Sequence, residues 1–267
     1  MKLSFLSLAS GSSGNCYYVG TAEYGILIDA GIGLRQIKKT LKDRGVDFDR
    51  IEALLVTHDH ADHIKTAGIL GEKCGLPVYT TARVHDGIDR SRYVGETLHA
   101  SRRTIAKETP FAIRDLRIEA FEVPHDSFDC VGYEIECDGC RFTIATDVGH
   151  ISPTVARYLR RARHIVLEAN YDEEMLRNGS YPDFLKERVA GDGGHLSNRE
   201  AADFLALNYT PSWRTVWLCH LSRENNHPEL AGRTVDLRLA QAGISVGRDL
   251  ALHVLGRTTP SGIFTLD

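Results

Sequence analysis

The sequence predicts an α/β protein, on three observations. Strand-like runs separated by glycine- and serine-rich turns open the chain, strand-like and helix-like segments alternate after His164, and several apolar runs end in a histidine or an aspartate. At 267 residues the length alone allows one large domain or two small ones, and 42% hydrophobic content is ample for a core.

Taken in order, Leu3 to Leu8, Cys16 to Val19 and Tyr24 to Ile28 read as a β-meander. Gly33 to Arg44 reads as a helix, with Leu34, Ile37 and Leu41 at helical spacing and Gly45 as its stop. Ile51 to Val56 is an unbroken apolar run, the pattern of a strand buried on both faces, and a helix-like segment follows from Ile64 to Cys74. After Val78-Tyr79-Thr80, the basic stretch from Arg83 to Lys107 is either a solvated helix and loop or an insertion that grips phosphates. Further strands are expected at Ile113 to Val123, Val131 to Cys137 and Arg141 to Ala145. Ser152-Pro153 caps a helix through Arg161. Then come a strand at His164 to Glu168, a helix from near Asp172, a mobile loop between Asn178 and Gly194, and a helix whose capping box is Ser197 with Glu200. A strand at Thr215 to Cys219, a helix at Pro228 to Ala242 and strands near Leu250 to Val254 and Ile263 to Thr265 complete the chain.

Composition excludes some function classes. A net charge of −4 gives no global attraction to nucleic acid or an anionic membrane, so a polyanion must be held locally or through bound metal. No run approaches the roughly 18 apolar residues of a membrane span. The first ten residues faintly resemble a signal peptide, but Ser4 and Ser7 interrupt them and Gly11-Ser12-Ser13-Gly14 reads as a turn, so a cytoplasmic protein is expected. Six scattered cysteines are no disulfide scaffold. Cys137-Asp138-Gly139-Cys140 has the spacing of a redox or zinc motif, yet Asp138-Gly139 signals a hairpin with reduced thiols facing each other.

The chemistry concentrates at Thr57-His58-Asp59-His60-Ala61-Asp62-His63, straight after the buried run. Imidazole and carboxylate are ligands of zinc and similar divalent ions. On an extended backbone His58 and His60 point the same way, whereas Asp62 and His63 at the turn point elsewhere, which suggests two neighbouring ions. His125, Asp147 and His220 each follow an apolar run and supply further candidates. One site built from residues 58 to 220 argues for a single domain over 1–267.

The pattern Thr-His-x-His-x-Asp-His, preceded by Leu27-Ile28-Asp29-Ala30-Gly31 and followed by the later ligands, resembles the metallo-β-lactamase superfamily. The resemblance implies a four-layer αββα sandwich with the metals along one edge. It assigns His58, His60 and His125 to one ion, Asp62, His63 and His220 to the other, and Asp147 to a bridge. It also makes Asp29 a buttress of the histidine loop. Pro124-His125-Asp126 departs from the Gly-His-Thr of many members.

Two ions can activate a water and clamp an in-line displacement at phosphorus, or polarise a carbonyl. Leu167-Glu168-Ala169-Asn170-Tyr171 with Gly194-His195-Leu196-Ser197 is similar to elements of ribonuclease Z-like phosphodiesterases. That likeness implies that Glu168 orients His195, which protonates the leaving oxygen; otherwise the two are ordinary strand-end and N-cap neighbours. Gly11-Ser12-Ser13-Gly14-Asn15-Cys16 and His220-Leu221-Ser222-Arg223-Glu224-Asn225-Asn226 resemble the YycJ-type members, which implies a nuclease working from the 5′ end of DNA with a link to DNA repair. Glu224 and Asn225 either orient His220 or cap the next helix. The expectation is therefore a hydrolase with two divalent ions, zinc or manganese with iron as a third choice. Its expected catalytic groups are His195, Glu168 and Asp62, and its substrate is nucleic acid, DNA ahead of RNA. The alternatives are a thioester or lactone hydrolase of the same fold and an RNA-processing nuclease.

Overall fold

In the computed structural model, which describes residues 2–267, the meander is formed by β1 (Leu3–Ala9), β2 (Cys16–Gly20) and β3 (Gly25–Ile28), paired antiparallel. Helix α1 (Leu34–Asp43) buries Ile37 and Leu41 and returns the chain so that β4 (Ile51–Leu55) lies parallel beside β3. After α2 (Ala61–Ile64) come β5 (Val78–Thr81), α3 (Ala82–Arg90) and β6 (Arg102–Ile105), which extend the sheet in parallel. The second sheet starts with β7 (Phe111–Ile113), β8 (Leu116–Glu122), β9 (Val131–Cys137) and β10 (Cys140–Ala145), all antiparallel neighbours. It grows by parallel crossovers through α4 (Pro153–Arg161), β11 (His164–Glu168), α5 (Glu173–Asn178), α6 (Asp183–Ala190), α7 (Asn198–Leu207), β12 (Thr215–Cys219), α8 (Pro228–Gln241) and β13 (Ala251–Val254). Strand β14 (Phe264–Leu266) crosses back to pair with β1.

Two seven-stranded sheets result, β14-β1-β2-β3-β4-β5-β6 and β13-β12-β11-β10-β9-β8-β7. Alternation along the strands decides which side chains meet. Trp217 and Cys219 of β12 join Phe5, Tyr17, Ile28 and Leu55 between the sheets, while Val216 and Leu218 face outward under α4, α7 and α8. Helices α1 and α3 and the segment around Ile64 and Leu70 cover the outer face of the first sheet. The layers are thus αββα, as the family resemblance implied.

Several local expectations change. The run from Ile113 to Val123 is two strands, because Arg114 turns the chain at φ 50 without any Gly or Asn-Gly signal. The helical path expected from Ile64 begins at Ala61 and widens into a π-turn over Ile69–Lys73. Residues 178–194 contain helix α6 rather than only a loop. It buries no residue, so it lacks the apolar stripe by which helices are recognised. Part of the basic stretch is strand β6, and two of its cations are paired within the chain: Arg102 with Asp86 and Asp89, and Lys107 with Glu122 and Asp129. Cys137 and Cys140 face each other across their hairpin as free thiols. No helix among the described residues is long and apolar enough to cross a membrane.

Candidate functional site

Strands β3, β4, β10, β11 and β12 all deliver a polar residue to one edge of the sandwich. The first is Asp29, fully buried, in the left-handed region at φ 59. Its Oδ1 accepts from the Thr57 amide at 2.8 Å, and its Oδ2 accepts from His63 Nδ1 at 2.8 Å. Asp29 therefore ties both ends of the 57–63 loop. Gly31 lies so close beneath that loop that a methyl group there would stand 1.6 Å from the carbonyl oxygen of Asp62.

The hydrogen bonds select a tautomer for each imidazole. Thr57 Oγ1 donates to Asp29 and accepts from His58 Nδ1 at 3.0 Å, which leaves the lone pair of His58 on Nε2. His125 donates from Nδ1 to the carbonyl of Gly194 at 2.9 Å, so its Nε2 lies inward, 3.2 Å from His60 Nδ1. His220 donates from Nδ1 to Glu168 Oε1 at 2.9 Å and turns Nε2 towards Asp62, 3.4 Å away. At each of these rings one nitrogen is anchored in protein and the other faces the cluster.

Ligand atoms lying within 4.8 Å of one another form the groups His58-His60-His125, Asp62-His63-His220 and His58-His63-Asp147. His58 Nε2 and Asp147 Oδ2 are buried yet have no hydrogen-bond partner. Burial, then the neighbouring His63, push the His58 imidazole well down, so it stands neutral and able to ligate. Burial would raise the Asp147 carboxyl, but the imidazoles of His220, His63 and His58 outweigh it and hold it well below the usual range. Burial would likewise depress His220; Asp147, Asp62 and Glu168 overcome it and push the ring up to about 10. So strong a demand for buried positive charge is one a divalent cation meets. The donor set, the two orphaned atoms and the mixture of imidazole and carboxylate fit such ions.

Glu168 ends β11 with no exposure. Its Oε2 accepts from the amides of Val148 (2.7 Å) and Leu196 (3.1 Å), and its Oε1 accepts from Nδ1 of both His195 (2.8 Å) and His220 (2.9 Å). One carboxylate therefore joins His195 to the cluster. His195 precedes α7, whose capping box is formed by Ser197 and Glu200 as expected. Burial depresses the His195 imidazole, but Glu168 beside it wins and raises it.

The structure thus gathers His58, His60, Asp62, His63, His125, Asp147, Glu168, His195 and His220 in one place, with Asp29 beneath. It corrects one position: the Asn225 side chain makes no hydrogen bond to His220. Asn170 does that work, donating to the His220 carbonyl at 2.8 Å and lying 3.3 Å from its Nδ1. Asn15 is another residue whose role the spacing did not disclose. Its Oδ1 accepts from the Gly11 amide and the Tyr17 hydroxyl, which turns Nδ2 to His63 Nε2 at 2.9 Å and to Asp62 Oδ2 at 3.3 Å. Ser10 Oγ accepts from the amide of His220, itself in the left-handed region at φ 53. Asn15 lies in the Gly11 to Cys16 motif, and Ser10 directly precedes it.

Residues 24–220 match the family model described as a beta-lactamase superfamily domain. The chain is 35% identical over 246 residues to a Streptococcus pneumoniae protein named exodeoxyribonuclease WalJ, covering 92% of this chain and 91% of that one. It is 33% identical over 263 residues to exodeoxyribonuclease YycJ of Bacillus anthracis, covering 98% and 99% respectively. Among solved structures it is similar to the metallo-beta-lactamase fold protein YhfI of Bacillus subtilis, with TM-score 0.72 and 14% identity over 99% of this chain and 100% of that one, a likeness of fold.

Proposed function

The chain belongs to the beta-lactamase superfamily, and from that premise we propose that it is a metal-dependent phosphodiesterase removing nucleotides from the 5′ end of DNA. The observation that carries this reading is the 2.8 Å contact between Glu168 Oε1 and His195 Nδ1 at the rim of the histidine-aspartate cluster. The two relatives named exodeoxyribonucleases support DNA ahead of RNA. We assign His58, His60 and His125 to one divalent ion and Asp62, His63 and His220 to a second, with Asp147 between them, and zinc or manganese as the metal. Such ions supply Lewis acidity, which activates water and offsets charge at phosphorus.

The chain's own residues supply the proton and the geometry. With Nδ1 committed to Glu168, His195 has Nε2 free to protonate the departing oxygen. A sugar alkoxide is too basic to leave unaided, so this proton matters most on DNA. Glu168 stabilises the imidazolium and fixes its direction through four accepted hydrogen bonds. A thioester or lactone hydrolase has little use for that pair. Because one site draws on residues 29 to 220, we read 1–267 as a single domain, acting on DNA in the cytoplasm.

The test compares His195→Ala with wild type on DNA and on bis-p-nitrophenyl phosphate, whose nitrophenolate leaves without a proton. Loss of the acid should lower the rate on DNA by about 10²–10⁴-fold and the nitrophenyl rate much less. Equal losses on both substrates, or none on DNA, would refute the assignment.

A further inference from the structure

The cleft that holds His195 and His220 is also lined by Asn225, Tyr181 and Leu185, none of which the hydrolytic chemistry uses. Asn225 is only 1% exposed, yet neither Nδ2 nor Oδ1 has a hydrogen-bond partner. Its backbone is fixed: the amide donates to Ser222 Oγ at 3.2 Å and the carbonyl accepts from the Asp172 amide at 2.8 Å. Next to it, Asn226 is saturated. Asn226 Nδ2 donates to the carbonyls of Ala169 and Asn170 and to Asn198 Oδ1, while its Oδ1 accepts from Asn198 Nδ2 and the His227 amide. Of two adjacent buried carboxamides, one is spent on the fold and the other is held in place with both of its polar atoms unused. Gly179 packs against Asn225 Oδ1, where a methyl group would lie 2.6 Å away, so a larger residue there would displace the carboxamide.

A buried donor and acceptor side by side call for a ligand that offers both. Phosphate oxygens only accept, so they would leave Oδ1 unpaired. The deoxyribose inside a DNA strand has no free hydroxyl. A nucleobase does carry a donor beside an acceptor on its pairing edge, in all four bases, and a carboxamide matches that pair in one orientation or the other. Tyr181 and Leu185 add an aromatic and an aliphatic wall against which a flat ring packs. Resting on the phosphodiesterase reading above, we propose that Asn225 binds the pairing edge of the nucleobase next to the scissile phosphate, in a subsite walled by Tyr181 and Leu185.

The experiment uses metal-loaded protein and two labelled oligonucleotides that differ only at the nucleotide beside the bond to be cut, one with its base and one carrying an abasic tetrahydrofuran unit. Wild type should cut the base-bearing strand faster by about tenfold or more, the size of a good bidentate base contact. Asn225→Ala and the near-isosteric, uncharged Asn225→Leu should shrink that preference towards unity. Neither loses an internal side-chain hydrogen bond nor buries a charge, so both should stay close to the wild-type melting temperature. A wild type with no preference overturns the proposal, as do variants that slow both substrates by one factor. Failure of wild type to cut either strand overturns the phosphodiesterase reading itself, and the base subsite with it.

Discussion

Glu168→Gln isolates the residue on which the catalytic pair and the metal cluster converge. Two oxygens receive four donors: Val148 and Leu196 amides on Oε2, His195 and His220 Nδ1 on Oε1. A carboxamide keeps one acceptor and presents an NH2 to the other pair. Each buried donor stranded in this way costs about 1–3 kcal/mol, so two cost about 2–6 kcal/mol before any relaxation. The backbone amides cannot turn away, but the imidazoles can change tautomer, so the NH2 settles against the histidines. His195 then carries its proton on Nε2 with no carboxylate to stabilise the imidazolium, and His220 loses the anchor that leaves its Nε2 bare. Nucleotide release from end-labelled DNA should fall by about 10²–10⁴-fold. Metal content and melting temperature, measured on the same preparation, separate a lost proton donor from a lost ion. A Glu168→Gln protein that keeps the wild-type rate on DNA would refute the reasoning.

Two further outcomes follow from the same geometry. Asn15→Ala removes the amide that lies 3.3 Å from Asp62 Oδ2 and helps orient that carboxylate, and should weaken metal binding by about 10–100-fold, read by competition with a chelating dye; unchanged affinity would contradict that role. Stripping the ions with a chelator should lower the melting temperature, since metal at 100 times its dissociation constant stabilises by about 2.7 kcal/mol, and added zinc or manganese should restore it. A melting temperature indifferent to metal would contradict the assignment.

Much of the site was legible because its residues sit where strands end. His58, His60, Asp62 and His63 are contiguous, and His125, Asp147, Glu168 and His220 each follow an apolar run that is easily read as a strand. The capping box at Ser197 and Glu200 was readable for the same reason, being a local motif. What escaped depends on distance in the chain. Asn15 meets His63 across 48 residues and Asn170 meets His220 across 50, and no local spacing encodes such contacts. Asn225 was placed beside His220 because it is near in sequence, whereas it lines the cleft and its side chain makes no hydrogen bond to His220. Helix α6 escaped because a helix with no buried face leaves no periodic trace.

The central claim is a metal-dependent, end-directed phosphodiesterase, and the most direct test is digestion of 5′- and 3′-labelled single- and double-stranded DNA and RNA by the metal-loaded protein. Release of labelled mononucleotide from the 5′ end of DNA, abolished by chelation and restored by zinc or manganese, is the predicted result. Intact DNA in the presence of either metal, from protein shown to hold the ions, would contradict it.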